Sequence, residues 1–193
     1  MSVPPQTILR IDKLEVTNFR CFADCAFELH PEVNVLIADN AQGKTALLDA
    51  IALALDVYVS AVAYRRKSHG IRRDDIYCSV NEEGKLSAHI PTRFIAKGCF
   101  MDSPYEWGLS LCSTGERARN TRAKAKNLHA TVLNLLDSAA IEAAKSNPVP
   151  DTTLPLAAFY GTGRLWSEHK LTKGKQSYAS ITPGRVSAFA DCL

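Results

Sequence analysis

Gly43, Lys44 and Thr45 stand in a row at the end of a polar stretch, ADNAQ, that follows the apolar run VNVLI at residues 33–37. Their types and order suit one task, holding a compact polyanion. A glycine lets a phosphate approach the backbone without a Cβ in the way. Backbone N–H groups curled into a concavity, backed by the unpaired N–H groups of a helix start, attract a phosphate tail. A lysine at this place reaches the β and γ phosphates, and the threonine hydroxyl after it ligates Mg²⁺. The stretch reads as a P-loop, or Walker A motif, for ATP with Mg²⁺. Asp39, Asn40, Ala41, Gln42 and Gly43 supply its backbone, and Lys44 and Thr45 are the candidate catalytic side chains, with Thr45 as the metal ligand.

The usual pattern opens with glycine, but Ala38 stands there, and Ala41 stands where many P-loops carry another glycine. If either site needs a positive φ, alanine costs on the order of 1 kcal/mol. The bland alternative is a polar turn that contains Gly-Lys-Thr by chance. The β-prone run before it and the apolar-periodic helix after it favour the phosphate reading.

Several elements must position this loop. Residues 8–19 predict a strand, residues 26–29 a second, and residues 33–37 a third that enters the loop directly. The helix that starts at Lys44 runs to about residue 65. Leu47, Leu48, Ile51, Leu55, Val59 and Val62 form its expected buried stripe, and Ala50, Ala52 and Ala54 keep it narrow for close packing on a sheet. Val57 and Tyr58 broaden the apolar surface, so the helix is expected to be covered on more than one side. Residues 65–75, RRKSHGIRRDD, make a charged connector that is either a solvated surface or a phosphate or nucleic-acid contact. Residues 76–112 predict an inserted antiparallel β region, with a turn at residues 81–84. Residues 122–147 predict a helix with Leu128, Val132, Leu135, Leu136, Ala139 and Ala143 on one face. The apolar run LPLAAFY, from residue 154, predicts a central parallel strand and leads into the turn Gly161-Thr162-Gly163-Arg164. Ligands in α/β sheets sit beyond the carboxyl ends of strands, so Arg164 either faces a phosphate or belongs to a plain turn.

With 193 residues the chain is long enough for one domain with a sizeable core. A net charge of +3 is too weak to argue a nucleic-acid surface alone. The six cysteines show neither CxxC pairs nor Cys/His clusters, so a disulfide framework and a zinc site are not indicated. No secretory leader is read at the amino terminus, and the helix after the P-loop reads as a core helix and not a membrane span. A cytoplasmic location follows as an expectation. A P-loop ATPase also needs a strand-end carboxylate near the Mg²⁺. The nearest carboxylates after apolar runs beyond residue 45 are Asp102 and Asp191, neither of which follows a good expected strand, and no Ser-Gly-Gly signature occurs. The chain is therefore expected to be the amino-terminal part of an ATPase, or else a domain that binds nucleotide without hydrolysing it. A kinase or GTPase is disfavoured, because no guanine-reading Asn-Lys-x-Asp element is present.

The segment LEVTNFRCF at residues 14–22, followed by VNVLIADNAQGKTALLDAIALAL at residues 33–55, resembles the opening of RecF/SMC-like ABC ATPase heads. LPLAAFYGTGRLW resembles a bacterial subgroup linked to virulence or anti-phage defence, including Septu-like and retron-associated ATPases. The resemblance implies an α/β P-loop NTPase fold, an ABC-ATPase-like amino-terminal lobe with an antiparallel β subdomain that is incomplete as a head. It implies Arg20 near the phosphates or base of the nucleotide, and residues 160–164 near the Q-loop region, though no glutamine stands there. It further implies hydrolysis only in a head dimer, work on or near DNA in repair or defence, and a partner nuclease or retron effector.

Overall fold

The computed structural model describes residues 9–63, 70–113, 120–145 and 154–160. Its scaffold is a five-stranded antiparallel sheet. The strands are β1 (Leu9–Phe19), β2 (Phe22–Glu28), β5 (Thr92–Phe100), β6 (Ser103–Leu111) and β7 (Asn120–Ala123), in the spatial order β2-β1-β5-β6-β7. A separate hairpin joins β3 (Cys78–Val80) to β4 (Leu86–Ala88), and its turn uses Gly84 at φ 75°. Two helices, α1 (Lys44–Val62) and α2 (Ala125–Lys145), pack on the sheet.

Alternation decides the faces. In β5 the residues Thr92, Phe94, Ala96, Gly98 and Phe100 are buried, while Arg93 and Lys97 are exposed. β1 follows the same period with two interruptions. Its register against β5 shifts between Ile11 and Lys13, which moves the buried set from Ile11 to Leu14 and Val16, because an extra residue in one strand flips every side chain beyond it. A second three-residue step separates Val16 from the buried Phe19, across Asn18 at φ 52°. Charges line the outward face. Glu15 pairs with Lys13 two residues before it on β1 and with Lys97 of β5, at 3.3 Å each, and the Lys97 pair is a cross-strand contact of the kind that fixes register.

The buried face meets α1. Trp107 is buried and donates its indole N–H to the carbonyl of Ala54 at 2.9 Å. This contact brings a helix carbonyl down onto an aromatic ring, and small residues permit it. Ala46, Ala50, Ala54 and Ala61 are all buried. The expected leucine stripe is thus only partly right. Leu47, Val59 and Val62 are buried, but Ile51 and Leu55 are half-buried and Leu48 is 43% exposed. The sheet supplies its own bulk through Phe94, Phe100 and Trp107, so the alanine face approaches it and the Leu48 side turns away. The second half of α1 is buried almost all round, as its apolar breadth predicts. By length and composition α1 is also apolar enough to cross a membrane, but most of it is buried inside the protein. On α2, Leu128 and Val132 are fully buried, with Leu135 and Leu136 half-buried beside them.

Three expectations are corrected. Residues 33–37 form no strand among the described residues. Leu36 is turned towards α1, and Val33, Val35 and Ile37 stand at 70%, 75% and 90% exposure. Residues 154–160 likewise form no strand among the described residues, though Ala157 is buried and the Tyr58 hydroxyl donates to the Pro155 carbonyl at 2.9 Å. Apolarity gives a segment β-propensity, but a strand exists only where another strand pairs with it. The antiparallel region expected after the first helix is present, and it shares its sheet with β1, since β5 pairs along nearly the whole of β1. The third correction is the strand β7, whose last two residues fall in the stretch 122–147 expected as helix; it completes the sheet.

Candidate nucleotide-binding site

The loop enters α1 through Gly43, which caps the helix at φ 86°. Glycine is required there twice over. Its φ lies in the left-handed region, and a Cβ at this position would stand 2.6 Å from Cys21 Sγ and 2.7 Å from Phe22 Cζ. Ala41 also has a positive φ, 65°, and carries the strain that its sequence position predicts; Ala38 does not. Among the described residues no side chain caps the helix, and its first turn holds no acidic residue. The opening N–H groups of a helix have no carbonyl one turn back to bond, so this end is left to an anion.

Lys44 Nζ donates to the carbonyls of Ala38 and Asp39, at 2.6 Å each. The ammonium is folded back over the loop and bonded to neutral oxygens. Among the described residues it has no carboxylate partner. A cation held by carbonyls at an uncapped helix start fits a phosphate chain. Thr45, the first residue after Lys44, is exposed at the same end of α1. Asp39, Asn40, Ala41 and Gln42 form the exposed turn before it, with the Gln42 N–H donating to the Asp39 carbonyl at 3.4 Å. The loop residues expected to act together are thus contiguous around one helix end. Arg164 lies outside the described residues.

Arg20 is placed by the turn between β1 and β2. Asn18 and Arg20 both take positive φ, 52° and 50°, a conformation that Asn tolerates and Arg seldom adopts. The Arg20 N–H donates to the Asp75 carbonyl at 2.7 Å, and its Nε donates to Asp75 Oδ1 at 2.9 Å. Nη1 pairs with Asp49, which lies on α1 just beyond its first turn. Burial by itself lowers the pKa of the guanidinium, but the hydrogen bonds and charges of Asp75 and Asp49 outweigh it and raise the value. The second oxygen of Asp75 accepts the Arg72 N–H at 2.9 Å and closes a short 3₁₀ turn, Arg73–Asp75. The residues after Arg20, Cys21 and Phe22, are the ones that crowd Gly43. The guanidinium is therefore an anchor between α1 and the 72–75 turn, immediately before the residues that press on the loop.

Asp49 and Asp75 were missed in the sequence. Asp49 interrupts an apolar helix, and Asp75 ends a charge run that also fits a solvated surface. The pairing of Arg20 with a residue 55 positions away carries no local signal. Beside this triad lies a cavity of about 500 Å³ between the flank of α1, the 70–75 turn and residue 159, lined by Arg20, Asp49, Asp56, Arg72, Asp75 and Phe159 among others.

The AAA domain family model AAA_23 matches residues 13–182. The chain is similar to the DNA replication and repair protein RecF of Staphylococcus haemolyticus (strain JCSC1435), 37% identical over 75 residues, which is 39% of this chain and 18% of that protein. It is similar to RecF of Staphylococcus epidermidis (strain ATCC 12228), 39% identical over 66 residues, 34% of this chain and 15% of that protein. RecF of Staphylococcus aureus (strain Newman) is 36% identical over 84 residues, 41% of this chain and 20% of that protein. These matches span a fifth or less of the length of each relative. They support the RecF-like part of the resemblance, and the mixed α/β architecture is consistent with a P-loop NTPase-like fold. The chain belongs to the AAA_23 family of AAA domains.

Proposed function

We propose that the chain binds ATP·Mg²⁺ at the amino-terminal end of α1, as the amino-terminal lobe of an ABC-type ATPase head. One observation carries the reading. Lys44 is bonded to carbonyls at an uncapped helix start entered through a left-handed glycine. The backbone of Asp39, Asn40, Ala41, Gln42 and Gly43 wraps the phosphates, Lys44 neutralises the β and γ groups, and Thr45 would hold Mg²⁺. The ion, when bound, stabilises charge on the transferring phosphoryl group. Arg20 supports the loop from the β1–β2 turn, and Arg164 completes the phosphate contacts. Hydrolysis belongs to a complete head dimer, and the RecF likeness supports DNA-related work such as repair. Action in anti-phage defence with a nuclease or retron effector, in the cytoplasm, extends the same reading. A non-hydrolysing nucleotide-binding or DNA-associated interaction module is the second reading, favoured by the absence of a carboxylate after a good expected strand beyond residue 45.

Calorimetric titration of ATP·Mg²⁺ into the chain, with Lys44→Ala alongside, tests the site. Saturable binding that is lost in the variant is the expected result. Equal affinity in both proteins would remove the assignment. Enzyme-like steady turnover by the chain alone would overturn the expectation that hydrolysis needs the complete head.

A further inference from the structure

We propose that Asp75 is a positioning residue for the phosphate loop, acting through Arg20. This rests on the nucleotide-binding reading above and adds a residue 30 positions beyond the loop to it. Three bonds converge on Asp75. Its carbonyl takes the Arg20 N–H, its Oδ1 takes Arg20 Nε, and its Oδ2 takes the Arg72 N–H. The side chain is only 8% exposed. Both carboxylate oxygens are committed, one to the guanidinium and one to the turn that presents the residue.

What Asp75 holds is strained and close to the loop. Arg20 sits at φ 50°, where a non-glycine residue persists only if its surroundings over-determine it. Asp75 does so from both the backbone and the side chain. Two further contacts lock the same turn, the Tyr77 N–H to the Asn18 carbonyl at 3.0 Å and an isolated bridge between Phe19 and Ile76. The next residues along the chain, Cys21 and Phe22, touch the space above Gly43, where α1 and the loop meet. The other end of the guanidinium is fastened to Asp49, five residues beyond Lys44 on the same helix. Arg20 therefore spans from the 72–75 turn to the P-loop helix, and the Asp75 carboxylate fixes where it stands. Removing that charge frees the guanidinium and relaxes the turn against Gly43. The loop then meets a triphosphate less well prepared, and affinity falls.

The test compares the ATP·Mg²⁺ dissociation constants of wild type, Asp75→Asn, Arg20→Gln and the double variant, with thermal unfolding measured beside them. Asp75→Asn is expected to weaken binding about tenfold, the scale of one hydrogen bond to a charged group. Arg20→Gln is expected to match it, and the double variant to lose no more than either, because the two residues act as one unit. Asn120→Ala is the control for loosening alone. Its side chain bonds both the N–H and the carbonyl of Ile71 and supports the same connector without touching Arg20. It is expected to lower the melting temperature and leave affinity unchanged. Wild-type affinity in folded Asp75→Asn overturns the proposal, as does an equal loss in Asn120→Ala. If Asp75→Asn does not fold, the double variant, which leaves an amide pair, replaces it. Binding weaker than in Arg20→Gln, or wild-type binding by Arg20→Gln, then overturns the proposal. Failure of wild type to bind ATP, or unchanged binding in Lys44→Ala, would instead overturn the nucleotide site itself.

Discussion

Two small residues in the loop carry opposite backbone accounts. Gly43 uses a conformation that only glycine holds without strain, under a ceiling made by Cys21 and Phe22. Gly43→Ala therefore adds a left-handed alanine and a steric clash, and should destabilise the protein by about 2 kcal/mol or more in urea unfolding. Ala41 already bears the penalty, at φ 65° in an exposed turn. Ala41→Gly should return about 1 kcal/mol, because relief of left-handed strain exceeds the added freedom of the unfolded chain. A fall in stability for Ala41→Gly would show that the loop takes another backbone in solution. The loop chemistry was legible from residue types alone, since glycine, lysine and threonine in that order leave few other tasks. The Arg20 triad was not, because its partners on α1 and in the 72–75 turn meet only through the tertiary fold.

At the scale of elements, periodicity revealed what is local. The strand character of β1 and the repeats of α1 and α2 were readable, and their bounds fall within a few residues of expectation. The pairing of β1 with β5 across some eighty residues was not, and neither was the lack of a partner for residues 33–37 among the described residues. Patterns of apolar residues say that a segment wants cover, not which segment provides it. The tie between α1 and residues 154–160 is one such long-range contact. Tyr58 is fully buried and donates to the Pro155 carbonyl, and burial pushes its phenol pKa well up. Tyr58→Phe keeps the ring and removes that bond, and should cost about 1 kcal/mol. Hydrogen exchange should then quicken at residues 154–160 and not in β5. Unchanged exchange there would mean that the bond does not hold the segment. On α2, His129 titrates below the ordinary histidine value of 6.5, first because burial disfavours its charged form and then because Arg122 repels it. The unfolded chain takes up this proton first as pH falls. This contribution is present above about pH 6.5 and lost as pH drops through the lower folded value. His129→Gln should flatten the fall in melting temperature between about pH 6.5 and 5, a window above the one in which Lys13 and Lys97 hold down the pKa of Glu15. An unchanged slope would assign the dependence to other groups.

For the molecule as a whole, the sheet and its helices pack around one buried core, and the large apolar side chains left exposed among the described residues are spread over several elements, Ile37 and Val35 being the most exposed. Val33, Val35 and Ile37 are exposed, and Leu36 between them joins Leu48, Ile51 and Leu55 along a groove of about 280 Å³. A segment with apolar side chains and no paired strand among the described residues offers both hydrogen-bonding groups and a hydrophobic face, the two features that drive edge-to-edge association. Stability and association should therefore separate. The exposed side chains contribute little to the folded monomer, because water reaches them in both states. Val35→Thr combined with Ile37→Thr keeps β-branched residues, and so the local backbone preference, while reducing the apolar area. The double variant should sediment as monomer at concentrations where the parent chain associates, with a melting temperature within about 2 °C of the parent, since exposed substitutions seldom shift stability by more than about 0.5 kcal/mol. A melting temperature many degrees lower would show that residues 33–37 are packed within the folded chain, and unchanged association would place the contact on another surface.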